Sequence, residues 1–268
     1  MTTIAPGRER LDMGRVVART FGSIGRNLAT FALLAVVLTG IPTFALTWLQ
    51  IGLNPATAGA APRTAPAFAA GYVGLIIIGG LVSWILSSLL QAAVIHGVIA
   101  EADGRKASFG DCLATGLRFA LPVAGVSLLF GIGVTLATLL LIVPGMILMT
   151  VWMVAVPAVV VERTGVFGAL SRSGDLTRGS RWSIFGLVFV FFVVSGLVQL
   201  TVLGVTGGLA IASQAVGGQL VALPRVFGTA LVGTITSIIS VVGVASIYFE
   251  LRANKEGVGP QNLAAVFD

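Results

Sequence analysis

Long apolar stretches alternate with short charged stretches along the whole chain. Residues 28–49 contain no charged side chain, and a helix of this length crosses a hydrocarbon layer of about 30 Å at about 1.5 Å per residue. Further stretches of the same kind follow, and together they predict six membrane-spanning helices. The predicted spans are residues 28–49, 71–99, 119–142, 145–161, 182–205 and 226–249.

Breaks in the apolar pattern indicate where these spans turn. The run 119–161 carries no charge and is too long for one span. Proline lacks an N–H donor and disrupts the preceding turn, so Pro144–Gly145 predicts a tight hairpin between the third and fourth spans. Connections rich in Gly and Ala, at 54–70 and 207–224, separate spans one and two and spans five and six.

Amphipathic segments precede the first, third and fifth spans. Each places apolar residues on one helical face and charged residues on another, which is typical of a helix lying on a membrane surface. These segments are residues 13–26, 108–118 and 166–178. The sequence therefore predicts an all-α integral membrane fold of three hairpins, each preceded by an amphipathic surface helix. Two of the junctions share the pattern Glu-x-x-Gly, at 101–104 and 162–165, which suggests an internal repeat.

The composition agrees with lipid as the solvent. Mean hydropathy is +1.03 and 10% of residues are charged, against about 25% in soluble domains. In the six-span arrangement every Lys and Arg except Arg63 and Arg225 lies on the side of the termini. By the positive-inside rule, both termini are expected in the cytoplasm. The predicted parts are a cytoplasmic segment 1–27, a membrane domain 28–250 and a cytoplasmic tail 251–268.

The basic residues predict lipid partners rather than nucleic acid. The net charge of +6 is dispersed over short loops beside the apolar spans, whereas a nucleic-acid interface needs a basic patch. Arg15, Arg19 and Arg26 share one side of the first amphipathic segment and are candidate contacts for anionic lipid headgroups. A membrane or soluble protein partner remains open, as does the oligomeric state.

No constellation of residues typical of catalysis or metal binding occurs. The chain has one Cys and one His, and it contains no P-loop and no zinc motif. We therefore predict no catalytic residue, cofactor or metal. Gln91, His96 and Gln199 are a candidate intramembrane polar site, although hydrogen bonds between helices explain them better than transport does. Glu162, with Arg178, is a candidate structural junction that holds the following surface helix.

One segment carries a family resemblance. Its residues are Pro144-Gly145-Met146-Ile147-Leu148, Trp152, Pro157, Glu162-x-x-Gly165, Ala169-Leu170-x-x-Ser173, Leu176-Thr177-x-Gly179 and Trp182. It resembles the membrane domain attached to some glycerophosphoryl diester phosphodiesterases and the related stand-alone bacterial membrane proteins, which include the YciC-like group. The resemblance implies a multi-span bacterial inner-membrane protein. The phosphodiesterase activity of that family resides in a separate soluble domain, so the resemblance does not extend that activity to this chain.

These observations favour a non-enzymatic protein of the bacterial inner membrane, acting as a scaffold or in envelope and lipid homeostasis. The alternative is a transporter or flippase of a small apolar or amphipathic solute. The polar residues of the candidate intramembrane site and the apparent repeat motivate that alternative.

Overall fold

The described part of the chain is almost entirely helical. The computed structural model describes residues 11–53, 65–212 and 222–256, and within these ranges it contains helices and no strand. The α-helices are α1 Met13–Arg26, α2 Leu28–Ala35, α3 Ile41–Leu53, α4 Ala65–Ala102, α5 Phe109–Leu140, α6 Ile142–Trp152, α7 Ala155–Glu162, α8 Gly165–Thr177, α9 Arg181–Ala212 and α10 Ala222–Glu256. A π-helical turn, Val36–Gly40, joins α2 to α3. Three predicted segments lie partly or wholly outside the described ranges. They are most of the 54–70 connection, part of the 207–224 loop and the tail beyond residue 256.

Six segments of the described chain are long and apolar enough to cross a membrane. Their mean hydropathy lies between 2.0 and 2.4, which confirms the prediction of six apolar spans. They are Leu28–Ile51, Ala70–Ala102, Phe109–Leu140, Ile142–Glu162, Arg181–Val205 and Val226–Glu256. The three-hairpin grouping remains a prediction. The most extensive contact joins α4 to α5, which that grouping assigns to different hairpins.

The segment expected to form a separate surface helix before span three does not do so. Helix α5 runs without interruption from Phe109 to Leu140, so residues 109–118 are its first turns. Gly116 explains why this end stays packed against the bundle. A Cβ at that position would lie 2.9 Å from the Leu89 carbonyl oxygen of α4, so only glycine permits this approach. Separate helices do precede spans one and five, as α1 and α8.

The turn between spans three and four lies at Leu141, earlier than the predicted Pro144–Gly145. Leu141 is extended, with φ −159° and ψ 141°, and α6 begins at the next residue. Pro144 therefore falls in the first turn of α6, where its missing N–H would have no helical partner in any case. Proline at this position marks the start of a helix rather than the end of one.

The fourth span is itself interrupted, between α6 and α7. Pro157 lies in the first turn of α7 and cannot donate to the carbonyl four residues before it, so the helix is interrupted at Met153–Val154. The interruption leaves the Val151 carbonyl free to accept a hydrogen bond from the Ser173 hydroxyl of α8 at 2.7 Å. The broken span is thereby joined to α8.

The best-packed part of the bundle lies at one end. We call this end the charged face, because α1, the last turns of α4 and α10, and the α7–α8 junction meet there. Several of the largest fully buried side chains, among them Phe31, Ile95 and Tyr248, lie within two turns of this face. Helix α9 is the exception to close packing, since only 6% of its membrane-spanning stretch is buried inside the protein.

We predict that Gly145→Ala destabilises the protein and Gly131→Ala does not. A Cβ at Gly145 would collide with the Thr138 side chain and lie 2.9 Å from its Cα, whereas a Cβ at Gly131 meets nothing within 4 Å. Overpacking of this kind costs about 1–3 kcal/mol, and alanine is favoured over glycine in an open helical position. Thermal unfolding in detergent measures the difference. Equal melting temperatures for the two variants would contradict the Leu141 turn.

Candidate functional site at the charged face

Three glutamates end three of the apolar spans at the charged face. Glu101 lies at the end of α4, Glu162 at the end of α7 and Glu250 in the last turns of α10. Their side chains are only 13%, 15% and 10% exposed, respectively. A carboxylate so little exposed needs a cation or hydrogen-bond donors close by, because desolvation of the charge is otherwise costly. Each of the three has such partners.

Glu101 fastens α1 to the end of α4. Its carboxylate accepts a hydrogen bond from the Ser23 hydroxyl, one at 2.7 Å from Arg26 Nε, and one at 3.3 Å from the Asn27 amide. The Asn27 side-chain oxygen in turn accepts from the backbone N–H of Ala107 at 3.4 Å. The end of α1 and the loop between α4 and α5 are thus held by one carboxylate.

Glu162 joins α7, α8 and α10. Arg172 Nε of α8 lies 3.0 and 2.8 Å from its two carboxylate oxygens, and the Tyr248 hydroxyl of α10 donates to it at 2.7 Å. Arg172 also pairs with Glu256, which accepts a further hydrogen bond at 2.7 Å from Arg252. Burial alone would lower the pKa of Arg172, but its hydrogen bonds to Glu256 and Glu162 raise the pKa above the usual value. The guanidinium is therefore permanently charged.

Glu250 faces the basic side of α1. Its carboxylate lies 3.2 Å from Arg15 Nε, in an ion pair that is not a well-aligned hydrogen bond. One turn further along α1, the Arg19 guanidinium lies 4.9 Å from the centre of the Phe249 ring, within the range of a cation–π interaction. Burial lowers the pKa of Arg19, although Glu101 and Glu250 oppose this shift. Both contacts hold α1 against α10.

The three arginines expected to contact lipid headgroups all contact the protein. Arg15 and Arg26 pair with glutamates and Arg19 packs on an aromatic ring. Headgroup contact by these residues remains a prediction. The side chains of Arg15 and Arg26 nevertheless stay 56% and 65% exposed, and on the other flank of α1 the apolar residues Val17 and Phe21 are exposed by 47% and 58%.

The candidate junction at Glu162 forms with a different arginine. Arg172 is the partner of Glu162, whereas the backbone N–H of Arg178 bonds to Asp175 and its side chain is exposed. Sequence reasoning missed Tyr248 and the partners of Glu101, because no spacing along the chain links residues about 80 positions apart.

The two Glu-x-x-Gly patterns have the same local structure. Gly104 and Gly165 have φ values of +75° and +73°, which place both in the left-handed region that side chains disfavour. In each case the glutamate ends a span and the glycine reverses the chain. The shared pattern is therefore a turn that leaves a buried carboxylate at the charged face.

The residues of the candidate intramembrane polar site are not brought together. His96 faces a polar pocket at the charged face, with Arg105, Lys106 and Asp111 in its wall. Gln91 is half-buried in α4, and Gln199 is exposed on α9. No group of three His, Cys, Asp or Glu side chains within the described ranges is arranged to hold a metal ion.

A second candidate site is an apolar cleft between α9 and α10. Its volume is about 510 Å³, and it is half-open to the surroundings. Its walls extend along α9 from Gly186 to Val198 and along α10 from Val232 to Ile247, and Val17 and Phe21 of α1 close it at the charged face. Twelve residues of helix span about 18 Å, so the cleft is about as deep as one leaflet of a bilayer.

No family model matches the chain, and neither the curated proteins nor the solved structures contain a match. The resemblance to the phosphodiesterase-linked membrane domain therefore stays a prediction. Of the residues that carry it, Glu162 and Ser173 hold α8 in place.

We predict that Tyr248→Phe lowers the free energy of unfolding by about 1.5–3 kcal/mol, the contribution of a hydrogen bond to a charged group. The Tyr248 ring is fully buried, and the substitution leaves its packing intact while removing a donor to Glu162. Tyr72→Phe is the matched control, since Tyr72 is the other tyrosine of the chain and its hydroxyl makes no hydrogen bond within the described ranges. Unfolding in mixed detergents measures both variants. A loss of equal size in Tyr72→Phe would show that the Glu162 contact is not responsible.

Proposed function

We propose that this protein is a non-enzymatic, multi-pass protein of the bacterial inner membrane, which acts as a scaffold or in lipid homeostasis by holding the acyl chain of a membrane lipid. The observation that carries the proposal is the cleft between α9 and α10. Its volume of about 510 Å³ falls within the range of ligand pockets, about 300–1,000 Å³.

The shape and lining of the cleft favour a lipid chain over a polar solute. Apolar side chains form nearly all of its wall, and polar groups are limited to hydroxyls such as Ser195, Thr236 and Ser240. The cleft begins under α1 at the charged face and runs along the spans for about the length of one leaflet. An acyl chain can therefore enter from the side while its headgroup stays at the membrane surface.

Two arginines next to the first residues of α9 are suited to the headgroup. Arg178 and Arg181 lie just before and at the start of α9, which forms one wall, and both are exposed. Neither has an acidic partner within the described ranges, in contrast to Arg15 and Arg26. Trp182, 86% exposed, follows them, as expected for an indole at the membrane interface. A phosphate at this position could pair with two guanidinium groups that have no acidic partner within the described ranges.

The charged networks at the same face favour a structural role over catalysis. The carboxylates of Glu101 and Glu162 are occupied by arginine and hydroxyl partners. A general base needs a free carboxylate or imidazole within reach of a substrate. These two carboxylates are therefore better placed to hold the helices together than to act as a base.

We predict that Gly243→Leu removes tightly bound lipid and that Gly233→Leu leaves it in place. Both glycines belong to α10, and a Cβ at either meets nothing within 4 Å, but only Gly243 lines the cleft. A leucine at 243 is therefore expected to extend into the cleft and fill the space of the acyl chain without straining the bundle. Native mass spectrometry of the detergent-purified protein measures the retained lipid. Equal retention by both variants would refute the cleft as the site.

We also predict that a double Arg178→Gln and Arg181→Gln variant loses preference for anionic over zwitterionic lipids. The matched control is Lys106→Gln, which removes a cation at the same face but away from the cleft. Exchange of spin-labelled lipids in nanodiscs measures the preference. Rapid movement of labelled lipid between leaflets by the wild-type protein in vesicles would instead support the flippase alternative.

The cytoplasmic position of the charged face gives a separate prediction, based on the positive-inside rule. Lys106→Cys should react with a membrane-impermeant maleimide only after the inner membrane is opened, and Arg63→Cys should react in intact spheroplasts. Residue 112, the natural cysteine, is fully buried and provides the unreactive background. The reverse labelling pattern would place the termini outside.

A further inference from the structure

Four hydroxyl groups lie in the described wall of the cleft between α9 and α10, whose other side chains are apolar. The hydroxyl of Thr20 donates to the Val16 carbonyl of its own helix at 2.8 Å. The other three belong to Ser195 of α9 and to Thr236 and Ser240 of α10. These three residues are half-buried, and their hydroxyls make no hydrogen bond within the described ranges.

The hydroxyls of α10 that lie away from the cleft differ in this respect. Thr234 and Ser246 donate to the carbonyls four residues before them, at 2.7 and 2.9 Å, and Ser237 donates to the Thr234 carbonyl at 2.8 Å. None of these three residues lines the cleft. A bond to a carbonyl of the preceding turn is a common way for Ser and Thr in membrane helices to be satisfied. In the described part of α10, the Ser and Thr hydroxyls without a partner are the two on the cleft wall.

The three unpaired hydroxyls lie deep in the membrane. Ser195 is 14 residues from Arg181 at the start of α9, and Thr236 is 14 residues from Glu250 at the charged face. Each separation corresponds to about 21 Å along a helix, and Ser240 lies about 6 Å nearer the charged face. In a hydrocarbon layer of about 30 Å, these hydroxyls are therefore near the middle. Water is absent at this depth, and a plain methylene chain offers neither a donor nor an acceptor.

We propose that the lipid held in the cleft carries an oxygen atom on its chain at this depth, and that Thr236, Ser240 and Ser195 donate hydrogen bonds to it. This site rests on the proposed lipid-binding function and narrows it to lipids with an oxygenated chain. Thr236 and Ser240 are one turn apart on the same side of α10, so both hydroxyls can reach one keto oxygen, which has two lone pairs. Ser195 approaches from the α9 wall.

The ester oxygens of an ordinary phospholipid do not meet this requirement. They lie at the boundary of the hydrocarbon layer, beside a headgroup at Arg181, whereas the hydroxyls lie near its middle. A plain chain in the cleft would leave the three hydroxyls unpaired, and an unpaired buried hydroxyl costs more than a formed hydrogen bond gains. Sites built to hydrogen-bond a ligand group discriminate against analogues that lack the group. The cleft should therefore prefer the oxygenated chain.

Competition between lipids that differ only in the chain tests this preference. The probes are three phosphatidylglycerols with stearoyl chains, of which one is plain, one has a ketone at mid-chain and one has a ketone near the ester. We expect the full-length protein to bind the mid-chain ketone about 2- to 10-fold more tightly than the plain lipid, the effect of one net hydrogen bond. The ketone near the ester should give no preference. Native mass spectrometry of the protein in mixed micelles measures the ratio of bound lipids.

The outcomes separate this inference from the function on which it rests. Equal binding of the three lipids, or an equal preference for both ketones, overturns the inference and leaves the cleft as a lipid site. Binding of none of them overturns the lipid-binding function together with the inference.

Removal of the hydroxyls tests which groups make the contact. A double Thr236→Val and Ser240→Ala variant should bind the plain lipid but lose the preference for the mid-chain ketone. The matched control is the double Thr234→Val and Ser237→Ala variant, which makes the same changes in the same helix at hydroxyls that bond internally. The control should keep the preference. A preference that survives in the cleft variant, or is lost equally in both variants, overturns the inference.

Discussion

The carboxylate of Glu162 cannot be buried where it lies unless three helices are in place around it. It is 15% exposed, and several kcal/mol of desolvation must be offset for each buried ion. The offset comes from the Arg172 guanidinium of α8 and the Tyr248 hydroxyl of α10. The positions of α7, α8 and α10 therefore depend on one another. In lipid this coupling matters more than in water, because apolar contact alone gives little preference for one helix arrangement over another.

The same constraint sets the direction in which α1 faces. Arg26 meets Glu101 and Arg15 meets Glu250. The side of α1 that carries Val16, Thr20 and Ser23 therefore turns inward, while the arginines reach the glutamates from one flank and Val17 and Phe21 stay exposed on the other. An isolated amphipathic helix would place its arginines toward lipid phosphates. Here buried glutamates compete for the same cations, and they hold α1 as the end wall of the cleft.

The spans were predictable from sequence because the exclusion of charge from hydrocarbon is a local property of the chain. Finer features depend on contacts between distant segments. Leu141, rather than Pro144, makes the turn because proline is also favoured at the start of a helix. Arg172, rather than Arg178, reaches Glu162 because the path of α8 is set by Ser173 and the Val151 carbonyl. The partners of Glu101 and the cleft arise only when helices distant in sequence meet, so no spacing or periodicity could reveal them.

The uneven packing of the bundle has a mechanical consequence. Ion pairs and the largest buried side chains concentrate at the charged face, while α9 has few neighbours along most of its length. The helices are therefore held together firmly at the charged face, and α9 is held less firmly along the rest of its described length. The packing of α9 against α10 is therefore less constrained than the packing at the charged face. Within the described ranges, the gap between these two helices is the dimension of the bundle that can change most without breaking an ion pair at that face.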